Sequence, residues 1–181
     1  ILGRPNSGKS TLTIFLLNSE RQLVGELSGL TRDTISEEFV WNNKNYTIID
    51  TPGLRKKSKI IDLVEKKSTK NSLKSVDESD ISILIVDSSV GFDKQDLLLS
   101  NYIEEKGKPF ILAINKWDLV KNKKEAKNLI TYKVSKSLSQ NKGICIVYIS
   151  SKEGLGIENL MENISKIYNL SFKKLKTNKK I

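Results

Sequence analysis

The 181-residue chain has no histidine and a single cysteine, Cys145. One thiol excludes a disulfide within the chain, and its neighbours Ile144, Ile146 and Val147 make it a buried strand position rather than a reactive group. The absence of histidine removes the commonest general base. Long hydrophobic runs are missing too: nothing approaches the roughly 20 apolar residues of a membrane-spanning helix, and no secretory leader precedes the first motif. The expectation is a cytoplasmic protein without a membrane partner. No internal repeat points to a solenoid, and 38% hydrophobic residues suffice for one compact, monomeric domain with a sizeable core. Arginine is scarce, with Arg4, Arg21, Arg32 and Arg55 the only ones among 31 basic residues, so the net charge of +10 is carried by lysine. A lysine excess arises from coding bias as readily as from contact with phosphate backbones, and charge alone leaves RNA contact open.

What is present is more specific. Gly3-Arg4-Pro5-Asn6-Ser7-Gly8-Lys9-Ser10 fits the pattern GxxxxGKS, in which backbone N–H groups and a helix N-terminus cradle anionic oxygens. Lys9 is placed to reach β- and γ-phosphates as a point charge, and the Ser10 hydroxyl suits a hard Mg²⁺ ion. This loop holds a triphosphate whatever its base. Asn115-Lys116-Trp117-Asp118 fits NKxD and names the base, because the Asp118 carboxylate accepts from the N1–H and exocyclic amine of guanine, a pairing adenine cannot make. Asp50-Thr51-Pro52-Gly53 closes an apolar strand, with the carboxylate placed for the Mg²⁺ shell and the Gly53 N–H for the γ-phosphate. Ser150-Ser151-Lys152 follows a later strand and is placed to wall the base pocket. The expected nucleotide contacts are Gly3, Asn6, Ser7, Gly8, Lys9, Ser10, Thr11, Asn115, Lys116, Asp118, Ser150, Ser151 and Lys152.

Patterning supplies the scaffold. Ser10 to Asn18 is helical, with Leu12, Phe15 and Leu16 on one face, and residues 25–37 read as a loop. Phe39–Trp41 and Tyr46–Ile49, separated by Asn42-Asn43-Lys44, read as a β-hairpin. Ile81–Val86 and Phe110–Ile114 are near-continuous apolar runs, as in parallel strands covered on both faces, and Ile144–Ile149 repeats that signal. Ile157, Leu160, Met161, Ile164 and Ile167 share one helical face. The result is α/β, a doubly wound, mostly parallel sheet with one antiparallel hairpin strand. Only Ile1 and Leu2 precede the loop, so the first strand reads as truncated; the domain is placed at residues 1–170 and a basic linker at 171–181.

These motifs together resemble the translation-factor-class GTPases that include Era, TrmE and Der. Gly29-Leu30-Thr31-Arg32-Asp33 is similar to their switch I, which implies Thr31 as the sensor of Mg²⁺ and γ-phosphate. Asp50 to Ile60, followed by Glu65-Lys66-Lys67-Ser68, is similar to switch II of the second GTPase domain of Der, as is the Trp117 and Leu119 form of the guanine motif; Pro52 stands where that domain usually has alanine. The resemblance implies binding and slow hydrolysis of GTP to GDP, with Lys9, Thr31, Gly53 and Asn6 in catalytic roles and Mg²⁺ held by Ser10, Thr31 and Asp50. It implies K⁺ at Asn6, which resembles the asparagine that ligates K⁺ in this family; Leu54 fills the position where many GTPases place a water-orienting glutamine. It also implies a role in assembly of the large ribosomal subunit, with ribosomal RNA and neighbouring GTPase and KH-like domains as partners. A TrmE-like tRNA-modification GTPase and a nucleotide-dependent interaction module are the alternatives.

Overall fold

The computed structural model describes residues 1–20, 36–49, 74–138 and 143–178. In chain order they form β1 (Leu2–Gly3), α1 (Lys9–Glu20), β2 (Ser36–Trp41), β3 (Lys44–Ile49), a helical stretch α2 at 74–78, β4 (Ser82–Asp87), α3 (Lys94–Glu105), β5 (Phe110–Asn115), a 3₁₀ turn (Trp117–Leu119), α4 (Lys123–Ser137), β6 (Cys145–Tyr148) and α5 (Ile157–Asn178). β1, β4, β5 and β6 make a four-stranded sheet in that order, every pairing parallel, with Leu2 opposite Leu84, Leu84 opposite Leu112 and Leu112 opposite Ile146.

Alternation along each strand separates two cores. Ile83 and Ile85 of β4 and Ile111 and Ala113 of β5 face Leu12 and Leu16 of α1 and Ile157, Leu160 and Met161 of α5. Their neighbours Leu84, Val86, Leu112 and Ile114 face Ile103 of α3 and Ile130 and Val134 of α4. Strands covered on both faces have no polar side, which is why these runs read as continuous rather than alternating. At about 1.5–3 kcal/mol for each large aliphatic side chain taken out of water, these two layers dominate the stability of the fold.

The hairpin β2–β3 is a separate two-stranded sheet, joined at Trp41 opposite Lys44 through Asn42 and Asn43 with φ of 48° and 58°. Two adjacent left-handed residues define a type I′ turn, for which asparagine is among the favoured types, so the connection is one residue tighter than the sequence suggests. Phe39 and Ile48 dock the hairpin on the core under α1 and α5. At the other end, α5 continues as helix to Asn178, so the boundary expected after residue 170 is not a break in secondary structure.

Candidate nucleotide-binding site

The loop from β1 to α1 reverses direction with φ of +144° at Gly3, +61° at Asn6 and +102° at Gly8. Left-handed residues placed between right-handed ones turn successive N–H groups into one concavity, a cradle for anions. Space as well as angle demands glycine at both ends: a Cβ on Gly3 would lie 2.4 Å from the Ile85 carbonyl oxygen, and one on Gly8 would lie 2.0 Å from Asn115 Nδ2. Lys9 opens α1 and folds its ammonium back to donate to the carbonyls of Gly3 at 2.8 Å and Arg4 at 2.6 Å. Burial pushes the Lys9 pKa below its ordinary value, a penalty that an arriving anion would offset.

Asn115, the last residue of β5, is buried at 3% exposure and joins three segments. Its Nδ2 donates to the Ser7 carbonyl at 2.8 Å, while its Oδ1 accepts from the Ser151 N–H at 2.9 Å and the Ser151 hydroxyl at 3.0 Å. One amide therefore fixes the phosphate loop, the β5 end and the turn after β6 against one another. Lys116 follows in the left-handed region at φ 60°. Its ammonium lies 2.5 Å from Asp87 Oδ2 at the end of β4, and its carbonyl accepts from the Ser88 hydroxyl at 3.0 Å. Burial pushes the Asp87 carboxyl up, but hydrogen bonds from Lys116 and Ser89 and the Lys116 charge outweigh it, leaving its pKa below the ordinary value. The Trp117 N–H donates to Ile149 at 3.0 Å, and its ring packs on Tyr148 with centroids 4.4 Å apart. The half-buried Asp118 sits on the 3₁₀ turn that follows.

The structure thus gathers the phosphate loop, the guanine motif and the Ser150–Ser151 turn at the carboxyl ends of the parallel strands, where open α/β sheets bind ligands. Ser10 and Thr11 are exposed on the first turn of α1, and Asn6 is exposed in the loop. Ser150 spends its polar groups on its own turn, its N–H donating to Leu155 at 2.9 Å and its hydroxyl accepting from the Glu153 N–H at 3.2 Å. Lys152 points outward and pairs with Glu153 at 3.3 Å. Thr31, Asp50, Gly53 and the basic stretch from Arg55 to Lys59 lie outside the described residues. A cavity of about 580 Å³ between the hairpin, β4 and α5 is lined by none of the described motif residues.

Among known families, the one described as 50S ribosome-binding GTPase matches residues 1–116. The chain belongs to that family. GTPase Der of Brucella abortus (strain 2308) is 35% identical over 177 residues, covering 98% of this chain and 37% of the relative. GTPase Der of Bartonella bacilliformis (strain ATCC 35685 / KC583 / Herrer 020/F12,63) is 38% identical over 179 residues, covering 99% and 38%. The chain therefore spans less than two fifths of the length of these relatives. Among solved structures, a variant of Era from Aquifex aeolicus bound to GDP·AlF4⁻ matches with a TM-score of 0.68 and 28% identity, covering 91% of this chain and 54% of that one.

A guanine nucleotide, the ligand this family implies, fits the residues present. The cradle admits only glycine at Gly3 and Gly8, Lys9 carries a burial penalty that phosphate would offset, and the buried Ser7 hydroxyl has no hydrogen-bond partner among the described residues. The exposed Ser10 hydroxyl has the hard-oxygen chemistry that Mg²⁺ favours. Sequence reasoning missed Arg4, Asp87 and Asp96. Arg4 occupies a variable position of the loop pattern, and Asp87 lies one residue past an apolar run. Asp96 carried a usable signal, since Asp93-x-x-Asp96 before Leu97 marks a capped helix start.

Proposed function

We propose that this domain binds GTP with Mg²⁺, hydrolyses it slowly to GDP and phosphate, and serves as a switch in assembly of the large ribosomal subunit within a longer, cytoplasmic protein. The observation that carries the reading is Asn115, which ties the phosphate loop to the guanine motif in one rigid unit within a chain of the 50S ribosome-binding GTPase family. In this reading the loop N–H groups and Lys9 hold the β- and γ-phosphates, Asp118 reads the guanine edge, and the Ser150–Ser151 turn, held by Asn115, walls the base pocket. Ser10, with Thr31 and Asp50, would hold Mg²⁺, which would supply positive charge against the charge that develops in phosphoryl transfer. Water attacks the γ-phosphorus as its bond to the β–γ bridging oxygen breaks, with Thr31 and the Gly53 N–H orienting the γ-phosphate.

Leu54 cannot orient that water, and in this reading Asn6 would recruit K⁺ to supply the charge that an arginine finger supplies elsewhere. Its left-handed backbone and exposed side chain, next to the loop turn that precedes Lys9, support this assignment. Single-turnover GTP hydrolysis in KCl against NaCl at equal ionic strength tests it. Acceleration by K⁺ that disappears in Asn6→Ala is expected, and an undiminished response in that variant would remove Asn6 from the role. Partners follow from the family and from the lysine-rich switch II region. Binding of the full-length protein to large ribosomal subunits should depend on GTP and weaken when Arg55, Lys56, Lys57 and Lys59 are neutralised. Binding that ignores both nucleotide and charge would refute the switch.

A further inference from the structure

The Arg4 side chain leaves the phosphate loop and reaches the segment between β4 and α3. Its Nε donates to Asp96 Oδ1 at 3.2 Å, its Nη2 lies 2.9 Å from Asp96 Oδ2, and the same Nη2 donates to the Gly91 carbonyl at 2.6 Å. The Asp96 side chain is fully buried and that of Arg4 is 15% exposed. We propose that Asp96 is a positioning residue for nucleotide binding, acting through Arg4 to fix the phosphate loop against the β4–α3 segment. This rests on the reading of the cleft as a guanine-nucleotide site.

Energetics favour a geometric role over a stabilising one. A buried ion pair gains little over well-packed apolar residues, because removing both charges from water costs about as much as their attraction returns. Burial in fact pushes the Asp96 carboxyl above its ordinary pKa despite hydrogen bonds from the Asp93 N–H and from Arg4. What a two-point contact between guanidinium and carboxylate does supply is a fixed distance and plane. The consequence lies in the backbone of the same residue. The Arg4 carbonyl accepts the Lys9 ammonium at 2.6 Å and the Ser7 N–H at 3.3 Å, so the position of Arg4 sets both the resting place of Lys9 and the closing bond of the loop turn. The segment that anchors Arg4 is itself tied to the base motif, since the Asp87 carbonyl accepts the Gly91 N–H at 2.8 Å while its carboxylate holds Lys116. The phosphate loop and the guanine motif thus share one frame, with Arg4 on Gly91 and Asp96 at one end and Lys116 on Asp87 at the other.

Asp96 has a second role that the test must separate. Its Oδ2 accepts the Asp93 N–H at 3.0 Å in the capping box of α3, so its loss also loosens that helix start. Arg4→Lys keeps a charge and leaves the box intact while losing the two-point contact. The experiment measures affinity for fluorescent N-methylanthraniloyl GDP and its IDP analogue at 20 °C, with the thermal midpoint recorded without nucleotide, for the parent chain, Arg4→Lys, Asp96→Asn and the double variant. We expect each single variant to weaken both nucleotides about tenfold while still folded at the assay temperature, with the GDP-to-IDP ratio unchanged because the base contacts are untouched. The double variant should be no weaker than the weaker single, the signature of residues acting as one unit. Affinity within twofold of the parent in the folded single variants, or losses that multiply in the double, would overturn the inference. If Asp96→Asn does not fold, Arg4→Lys decides by the same twofold and tenfold limits. Failure of the parent to bind either nucleotide would overturn the nucleotide reading itself, and this inference with it.

Discussion

Replacing Asn115 with alanine should cost far more stability than an ordinary polar substitution, because its amide joins three segments. The change removes the bond from Nδ2 to the Ser7 carbonyl and the two bonds that Oδ1 accepts from Ser151, all between 2.8 and 3.0 Å. At about 1 kcal/mol net for each bond, with a further penalty of about 1 kcal/mol or more for the buried Ser151 N–H left unpaired, the loss comes to about 3–4 kcal/mol. That is a large share of the roughly 5–15 kcal/mol a domain possesses, and for a chain of this size it lowers the melting midpoint by about 6–16 °C. Asn115→Asp separates the two halves of the amide. It keeps an acceptor for Ser151 but turns a second oxygen towards the Ser7 carbonyl, so it should lose the bond to the loop and retain those to the turn, at about 2 kcal/mol. Urea unfolding without nucleotide, followed by the fluorescence of the buried neighbour Trp117, measures both. Asn115→Ala within about 0.5 kcal/mol of the parent, the range of an unremarkable surface change, would refute the idea that this amide holds the cleft together.

Lys9→Met should leave the melting midpoint without nucleotide unchanged or raised, because burial already disfavours the ammonium, yet weaken GDP about 100-fold, equivalent to about 3 kcal/mol of charge-assisted contact; equal loss of stability and affinity would contradict this. The depressed pKa of Asp87 means that the folded state binds fewer protons than the unfolded one between the folded pKa and 3.8, so the stabilisation is complete above that window and is lost as pH falls through it. The stability gap between the parent and Asp87→Asn should therefore hold steady from about pH 7 to pH 5 and narrow below about pH 4, whereas a gap independent of pH would rule out the Lys116 pairing as its cause. Gly156→Ala meets both a left-handed φ of +73° and the Tyr148 carbonyl 2.3 Å from the new Cβ, while Gly107→Ala at φ +64° meets nothing within 4 Å among the described residues. The second should cost about 1 kcal/mol from the backbone alone and the first at least about twice that in thermal melts; equal costs would show that the turn before α5 gives way.

The fold was legible wherever local pattern and burial say the same thing. Ile83-Leu84-Ile85-Val86 and Ile111-Leu112-Ala113-Ile114 are apolar at every position because helices cover both faces, and each run became a central parallel strand. The hairpin was legible in its strands but not in its turn, because Asn42 and Asn43 take left-handed angles that only the strand register demands. The fixed spacing of the loop and the NKxD pattern brought the cleft into view. What holds the cleft in shape was hidden: Arg4 and Asp96 are 92 positions apart, and Lys116 and Asp87 are 29 apart in the opposite order. Neither pair has a sequence signature, because Arg4 meets Asp96 only once β1 lies beside β4, and Lys116 meets Asp87 only once β4 lies beside β5.

The distribution of cost across the molecule argues for where it works. Beneath the strand ends the structure is regular, with apolar side chains packed on both faces of the sheet. At the strand ends several features run against stability together. Asn6 and Lys116 take left-handed backbone angles, the Lys9 ammonium is partly stripped of water, the Ser7 hydroxyl is buried without a partner among the described residues, and a fully buried carboxylate is held by an arginine. Each costs of order 1–3 kcal/mol on its own, and a chain selected only to fold would not gather them in one place. Three of them, at Asn6, Ser7 and Lys9, fall within the phosphate loop, where an incoming polyanion would supply the missing charge and hydrogen-bond acceptors. The two left-handed residues are held from outside, Lys116 by Asp87 and the loop by Arg4 on Asp96 and Gly91. A rigid frame that keeps an unfavourable constellation in position before the ligand arrives is what preorganised binding requires, and that frame runs from Asp87 at the end of β4 to Asp96 in the first turn of α3.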